Sequence, residues 1–295
     1  MNKIILSVMA PVLCGFFALT SCAAEAQGPQ ADEARSWKLH QSTSYAFERD
    51  ARSQSGGLSV GITSFKLDKE YKFDNGMPLD LGIDIDHYMI HDTTAADLPP
   101  SLQSKGVTAG IKIPMPFTEN EQWYMGLSTG AYFQTAGNHA FPSSSFRSKN
   151  RVYGIYKPSD ALILVAGVGY NPDYEDNTVL PFLGIKYRFN ERWTLRALST
   201  QPSLAYQMND KTELRLEGSI HTDEFEVNDG VRKGDIVKVS DYRVGLGASY
   251  QFNEDWKLSS GAGLALGGQY EYLQNGGKVA LDRGFYLSYA LTWKF

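Results

Sequence analysis

The feature that most constrains the fold is an alternation of apolar and polar residues, with period two, that recurs in many segments of the chain. Successive side chains of a β-strand point to opposite faces, so such segments form strands with one apolar face. Similar segments cover residues 79–89, 179–189 and 242–252. In the last segment the apolar face consists of Phe285, Leu287, Tyr289, Leu291, Trp293 and Phe295.

Aromatic residues at the strand ends indicate what the apolar face contacts. Alternation alone fits a soluble sandwich as well as a membrane barrel. Residues 187–193 and 250–256 each contain an aromatic strand end, a short polar turn and a Trp that opens the next strand, and residues 117–123 are a looser copy. Rings grouped beside short turns are typical of the girdle at a membrane–water interface. The sequence therefore predicts an all-β fold, a closed antiparallel transmembrane β-barrel.

The turns predict the number of strands. Short polar turns are expected at 74–78, 118–121, 158–160, 190–192, 209–211 and 253–255. Longer connections are expected at 49–57, 91–104, 136–149, 172–178, 227–235 and 273–283, with a brief one at 200–201. With both termini on the side of the short turns, this pattern gives about 14 strands, an even number as in bacterial barrels. Loss of the brief connection would leave about 12.

The overall composition excludes some classes of function. The 295 residues carry a net charge of -5 without a basic run, so nucleic acid is not expected as a partner. After residue 26 there is no stretch of about 20 apolar residues, which excludes helical membrane spans. Membrane strands expose only every second residue to lipid, so a moderate hydrophobic content of 42% is compatible with a barrel.

The first 26 residues are interpreted as an export signal. Lys3 precedes an apolar stretch, and Ala24-Glu25-Ala26 forms a signal-peptidase site. Residues 19–22 also resemble a lipoprotein box, in which Cys22 would be lipidated and become the new N-terminus. Either route exports the chain. Residues 27–36 are then expected to be a flexible segment, with the barrel at 37–295.

Beyond these patterns, the chain resembles bacterial outer-membrane β-barrels in general. The resemblance rests on the signal peptide, the aromatic-flanked turns and the end of the chain at residues 289–295. It implies the outer membrane of a Gram-negative-type bacterium, with membrane lipid and lipopolysaccharide as partners. It also implies that the barrel-assembly machinery reads Tyr289, Leu291, Trp293 and Phe295. Residues 193–250 are similar to a barrel family of unassigned function.

The inward strand positions suggest the function. They are expected to carry mixed charges at Asp80, Asp84, Asp86, Lys112, Lys186, Arg188, Arg215, Glu217, His221, Asp241 and Arg243. A barrel of this size should have a wet interior. The sequence therefore predicts a channel or transporter for small hydrophilic solutes. The first alternative is a structural or loop-mediated binding barrel whose lumen is plugged by ion pairs, and the second is an integral outer-membrane enzyme.

No catalytic or metal-binding motif is apparent. The five histidines form no H-x-x-x-H pattern, and neither C-x-x-C nor G-x-S-x-G occurs. We therefore expect no enzymatic activity, no metal and no cofactor. His87 and His91, and the acidic clusters at 173–176 and 223–229, are interpreted as solvated loops. The solute and the oligomeric state stay open.

Overall fold

The computed structural model describes residues 37–52, 55–73, 77–92, 94, 98–115, 122–137, 141–176, 178–198 and 200–295. The predicted signal peptide and the segment 27–36 lie outside the described residues. The strands are β1 (Trp37–Asp50), β2 (Gly57–Lys72), β3 (Pro78–Asp92), β4 (Ser101–Pro114), β5 (Trp123–Ala136), β6 (Phe146–Ser159), β7 (Leu162–Tyr170), β8 (Val179–Arg188), β9 (Trp193–Ala197), β10 (Ser203–Asn209), β11 (Thr212–Val227), β12 (Ile236–Gln251), β13 (Trp256–Tyr272), β14 (Lys278–Leu281) and β15 (Gly284–Lys294). A 3₁₀ turn at Ser143–Ser145 precedes β6.

The strands form a closed antiparallel barrel. Each strand from β1 to β13 pairs with its successor, and β15 pairs with both β13 and β1, which closes the wall. The short strand β14 pairs with β13 directly above β15, so β14 and β15 together act as one wall strand. The wall therefore has fourteen strands, which confirms the larger predicted number. The hairpin of β9 and β10, the least certain in sequence, is present.

Asparagine side chains build the tight turns of the barrel. Asn190 Oδ1 accepts hydrogen bonds from the backbone N–H groups of Arg192 and Trp193, each at 2.9 Å. Asn253 Oδ1 accepts the equivalent bonds from the backbone N–H groups of Asp255 and Trp256, at 3.0 and 2.9 Å. Such bonds let a short polar side chain replace backbone partners within a turn. The end of the barrel that carries these turns and the first and last strand ends is called the turn end below, and the opposite end is the loop end.

The outer surface is apolar and carries rings at the turn end. Trp256 stacks on Trp293 with ring centroids 5.0 Å apart, and Trp123 stacks on Tyr156 at 4.2 Å. Between the two ends the outward positions are exposed aliphatic residues such as Leu246. This arrangement is the aromatic girdle and apolar band of a membrane barrel. Among the described residues, no helix is long and apolar enough to cross a membrane.

The loop end of the lumen is packed, which differs from the wet interior that the sequence predicts. The last residues of β11, Glu226 and Val227, pair in parallel with β5 on the other side of the lumen. Strands β6 to β10 take no part in this pairing of β5 with β11. The buried apolar residues there form the loop-end core: Ala51, Leu58, Val60, Ile62, Tyr88, Ile90, Leu98, Leu102, Ala136, Phe225, Val227, Val237, Val239, Tyr270, Tyr272, Val279 and Leu281.

The physical reason lies in the inward face of each strand, which changes character along its length. On β2 the inward residues are Leu58, Val60 and Ile62 near the loop end and Lys66 and Asp68 near the turn end. Apolar inward residues that can reach each other across the lumen gain about 25 cal/mol for each Å² withdrawn from water. The barrel therefore closes where the inward face is apolar and stays open where it is charged.

Candidate functional site

A large cavity occupies the turn-end part of the lumen. Its volume is about 2010 Å³. At the turn end it is lined by residues of two tight turns, including Lys211 and Asn253. Toward the loop end it reaches Tyr174 and Asp223, below the loop-end core. The cavity is thus a vestibule that opens at the turn end of the barrel.

The cavity wall is polar and electrically balanced. Among the described residues, nine Lys or Arg side chains and nine Asp or Glu side chains line it. Serine and threonine hydroxyls lie between them, for example Ser42 and Ser259 on opposite sides of the last wall strand. Acidic and basic groups are interspersed along the wall. Lys66 of β2 lies 4.0 Å from Asp84 of β3, and Arg215 of β11 lies 3.0 Å from Glu217 of the same strand.

The structure places the predicted inward residues as follows. The cavity wall includes Asp84, Asp86, Arg215, Glu217, His221 and Arg243. Asp80 forms an ion pair with Lys112 at 3.1 Å on the neighbouring strand. Lys186 is half-buried on β8, and Arg188 lies at the turn end, where it donates a hydrogen bond to the backbone oxygen of Asp160 at 3.5 Å. Asp241 is buried beside the cavity rather than in its wall.

Asp241 is the centre of a buried charge cluster. It accepts hydrogen bonds from Arg49 Nη1 at 2.9 Å and from Arg243 Nε and Nη2 at 2.9 and 2.7 Å. Arg243 also donates to Ser44 at 2.9 Å, and its guanidinium lies 5.3 Å from the ring of Tyr286. Sequence reasoning missed Arg49, because nothing in the local pattern indicates that the end of β1 approaches β12. The cluster connects these strands under the loop-end core.

A second charge cluster lies near the turn end. Glu213 accepts two hydrogen bonds from Arg196, at 3.1 and 2.7 Å, in the bidentate geometry that binds most strongly. Arg215 bridges Glu213 and Glu217, at 3.3 and 3.0 Å. Arg196 is the second residue of these clusters that sequence reasoning missed. These bonds hold the short strand β9 to β11 across β10.

The connection between β7 and β8 covers the loop-end limit of the cavity. We call residues 171–176 and 178 the cap segment. The Tyr174 hydroxyl lies 2.6 Å from Asp223 Oδ1 and 2.8 Å from Gln134 Oε1. Glu224 accepts hydrogen bonds from the backbone N–H groups of Glu175 and Asp176, at 2.9 and 3.1 Å. The interpretation of Asp223 and Glu224 as a solvated loop is therefore wrong, since both lie in β11 and hold the cap segment.

Two histidines of the cavity wall contact hydroxyl groups of neighbouring side chains. His221 Nδ1 lies 3.4 Å from the Tyr88 hydroxyl, and its ring meets that of Tyr88 edge-on. His40 Nδ1 lies 3.0 Å from the Thr292 hydroxyl oxygen. Within the described residues, no three His, Cys, Asp or Glu side chains are grouped to hold a metal ion.

One family model matches the chain, over residues 110–293, and its description is "Domain of unknown function (DUF6268)". The chain belongs to the DUF6268 family. No curated protein matches it. With a closed wall, an apolar exterior and an aromatic girdle, this DUF6268 member is an outer-membrane β-barrel.

Solved structures share the barrel shape at low similarity. The COG4313 outer membrane channel from Pseudomonas putida F1 is 12% identical, with a TM-score of 0.48 over 91% of this chain and 99% of that chain. A FadL homologue from Pseudomonas aeruginosa is 12% identical, with a TM-score of 0.44 over 88% and 90%. The toluene transporter TodX from P. putida is 10% identical, with a TM-score of 0.43 over 91% of both chains. The likeness is one of fold alone.

Proposed function

We propose that this barrel is a gated outer-membrane channel for small hydrophilic solutes, with the cap segment as its gate. The observation that carries the proposal is the polar cavity of about 2010 Å³ that opens at the turn end. A lumen that served only to stabilise the wall would be filled by side chains. Here the filling is confined to the loop-end core, and the wider part of the lumen is left for water and solute.

The chemistry of the wall indicates the class of solute. Equal numbers of acidic and basic side chains give the cavity no net preference for anions or cations. Hydroxyl groups can donate and accept hydrogen bonds, so they can replace the hydration of sugars or amino acids as these pass. Opposite charges that lie side by side, such as Asp84 beside Lys66 and Glu217 beside Arg215, favour dipolar solutes, because one solute can contact both signs of charge.

The cap segment is suited to act as a gate because polar bonds hold it. Tyr174, Glu175 and Asp176 are attached to Asp223 and Glu224 by hydrogen bonds of 2.6 to 3.1 Å. Lys238 adds an ion pair to Asp176 at 2.7 Å, and Asp176 is half-exposed there. A typical hydrogen bond contributes only about 0.5–1.5 kcal/mol net, so a small number of them can break transiently while the packed wall stays intact.

Conductance in planar lipid bilayers tests the channel and its gate together. We expect brief, rare openings for the wild-type protein and more frequent openings for Asp223→Asn combined with Glu224→Gln, since this variant weakens the attachment of the cap segment. Asp282→Asn is the matched control, because Asp282 pairs with Arg52 at an exposed site and contacts no residue of the cap segment. If the correctly folded double variant opens no more often than the control, the channel proposal is wrong.

The proposal includes the route to the membrane. Residues 1–26 would direct export, in a Gram-negative-type bacterium, by cleavage after Ala26 or by lipidation of Cys22. The alternating last strand, with Phe295 at its end, would be read by the barrel-assembly machinery, and the loop end would face lipopolysaccharide. Mass spectrometry of the mature N-terminus distinguishes the two processing routes, because only one of them adds lipid.

A second candidate function is a structural or loop-mediated binding barrel, and the loop-end core favours it. That core closes the lumen beneath the longer connections. The connection from β5 to β6 is then the natural binding loop, and Ser144 near its β6 end donates a 2.6 Å hydrogen bond to Glu226. A fold-neutral deletion must stay within residues 138–141, since Pro142 and Ser144 accept hydrogen bonds from Ser145 and Arg147 at the start of β6. Loss of partner binding with unchanged conductance would support this alternative.

A further inference from the structure

We infer that the barrel wall has a lateral opening between β8 and β11, through which an amphiphilic molecule exchanges between the cavity and the membrane. The inference goes beyond the proposed channel, since it concerns a different path and a different class of ligand. It rests on strand pairing, on the extent of the cavity and on the side chains beside the opening.

The strand pairing is incomplete at this place in the wall. β9 has only five residues and β10 only seven. β8 pairs with β9 only at residues 185–188, and β11 pairs with β10 only at residues 212–217. Toward the loop end, the described chain supplies no strand partner for residues 179–184 of β8 on that side.

The edge of β11 that faces β8 also has few backbone hydrogen bonds to a neighbouring segment. Two backbone hydrogen bonds continue beyond the paired part, from Gly218 N–H to the Pro202 oxygen at 2.8 Å and from Ile220 N–H to the Thr200 oxygen at 3.1 Å. Beyond them, no described strand pairs with β11 on this edge until Glu226 meets β5. The gap is thus bordered by two strand edges, by residues 198 and 200–202 at the bottom and by the cap segment at the top.

The sequence of β8 agrees with an open edge. Pro181 lies within the unpaired stretch, and proline is confined to edge strands because it cannot donate a ladder hydrogen bond. The neighbouring outward residues Val179 and Leu183 are 60% and 67% exposed, as expected for lipid-facing positions. Free backbone groups at membrane depth are tolerated only where protein covers them or where they line water. The gap must therefore open onto the aqueous cavity.

The cavity does extend to the gap. Leu180 of β8 and Asn171 of the cap segment line it on one side. Gln201 lines it at the bottom, and Ser219 and Ile220 of β11 line it on the other side. The residues that border the gap therefore also belong to the cavity wall, and the two spaces are continuous.

The chemistry beside the gap differs from that of the rest of the cavity. The inward residues of β8 are Lys186 and Arg188 near the turn end but Leu180 and Phe182 at the gap. Phe182 belongs to a buried apolar cluster with Tyr153, Ile163, Val165 and Leu198. A charged cavity that meets an apolar stretch at an opening to lipid suits a molecule with a polar head and an apolar chain. A purely apolar molecule would not enter the charged cavity, and a purely polar one would not enter the membrane.

Photo-crosslinking tests the inference, because alternate residues of β8 face opposite sides of the wall. The full-length protein in lipid vesicles is irradiated with a long-chain fatty acid that carries a diazirine in its chain, and adducts are located by mass spectrometry. We expect adducts on the inward residues Leu180, Phe182 and Leu198, reduced severalfold by excess unlabelled fatty acid. Adducts confined to outward residues such as Leu183 would show partitioning into lipid alone and would overturn the inference.

A variant pair gives a second readout. Leu180→Asp places a charge at the gap. It should abolish the adducts on inward residues that unlabelled fatty acid reduces, and it should leave the adducts on outward residues. Ser259→Asp places the same charge on the cavity wall of β13, away from the gap, and should leave the inward adducts unchanged. Heat-dependent migration in gels verifies that both variants fold. If the Leu180→Asp variant still forms adducts on Phe182 at the wild-type level, and unlabelled fatty acid still competes with them, the lateral path is wrong. This outcome does not depend on the conductance of the cap-segment variants.

Discussion

Many carboxylates of the barrel form ion pairs with Lys or Arg. Among them, we expect the replacement of Asp241 by Asn to destabilise the barrel most. Asp241 is 3% exposed and is shared by Arg49, which is 0% exposed, and Arg243. Arg49 Nε and Nη2 are buried without a hydrogen-bond partner, so its positive charge depends on Asp241. Asparagine keeps the shape of the side chain and one acceptor oxygen but removes the negative charge. Two buried guanidinium groups would then face each other without compensation.

The magnitude follows from burial. Breaking a buried ion pair by neutralising one partner costs about 3–5 kcal/mol, because the remaining charge stays in a medium that solvates it poorly. An exposed pair contributes about 0–1 kcal/mol. Arg52 and Asp282 form such a pair at the same 2.9 Å separation, with side chains 54% and 56% exposed. The two aspartates therefore share the bond length to arginine and differ in burial and in the number of arginines they bind, which makes Asp282→Asn the exposed control.

The free energy of unfolding is measured by urea titration in lipid vesicles, followed by tryptophan fluorescence. We expect Asp241→Asn to lose about 3–5 kcal/mol and Asp282→Asn less than about 1 kcal/mol. Adding Arg49→Met to Asp241→Asn should recover part of the loss, since it removes one uncompensated charge. Equal, small losses for both aspartate variants would refute the reasoning.

Two further predictions concern packing and pH. Gly126→Ala should destabilise the barrel by about 1–3 kcal/mol, because its Cβ would overlap Cζ of the buried Tyr153 ring. Gly154→Ala, whose Cβ would have its nearest neighbouring atom at 4.0 Å, should be neutral in the same titration. In the turn after β6, the hydrogen bond and charge of Lys157 lower the pKa of Asp160. The stabilisation by the ionised Asp160 carboxylate is therefore present above the unfolded-state pKa of Asp160 and is lost as pH falls through its lower folded-state pKa. Asp160→Asn should flatten the acid decline of the urea midpoint slightly, and an unchanged decline would contradict this.

The sequence by itself determined the wall of this protein. Period-two alternation and aromatic-flanked turns are local features, and a strand or turn forms from residues that are close together in the chain. Asn190 and Asn253 mark their turns directly, and each turn together with the rings beside it fixes one end of a hairpin. The closed barrel and its fourteen strands could therefore be predicted, even through the brief hairpin of β9 and β10.

Only the tertiary structure decided what the wall encloses. The approach of Arg49 to Asp241, the contact of β11 with β5 and the gap beside Pro181 depend on strands far apart in sequence. Alternation tells which residues face inward but not how far apart opposite strands lie. One signal was available, since the inward face of β2 changes from Val60 and Ile62 to charged residues. Whether such faces pack or stay wet is set by long-range pairing, which no local pattern contains.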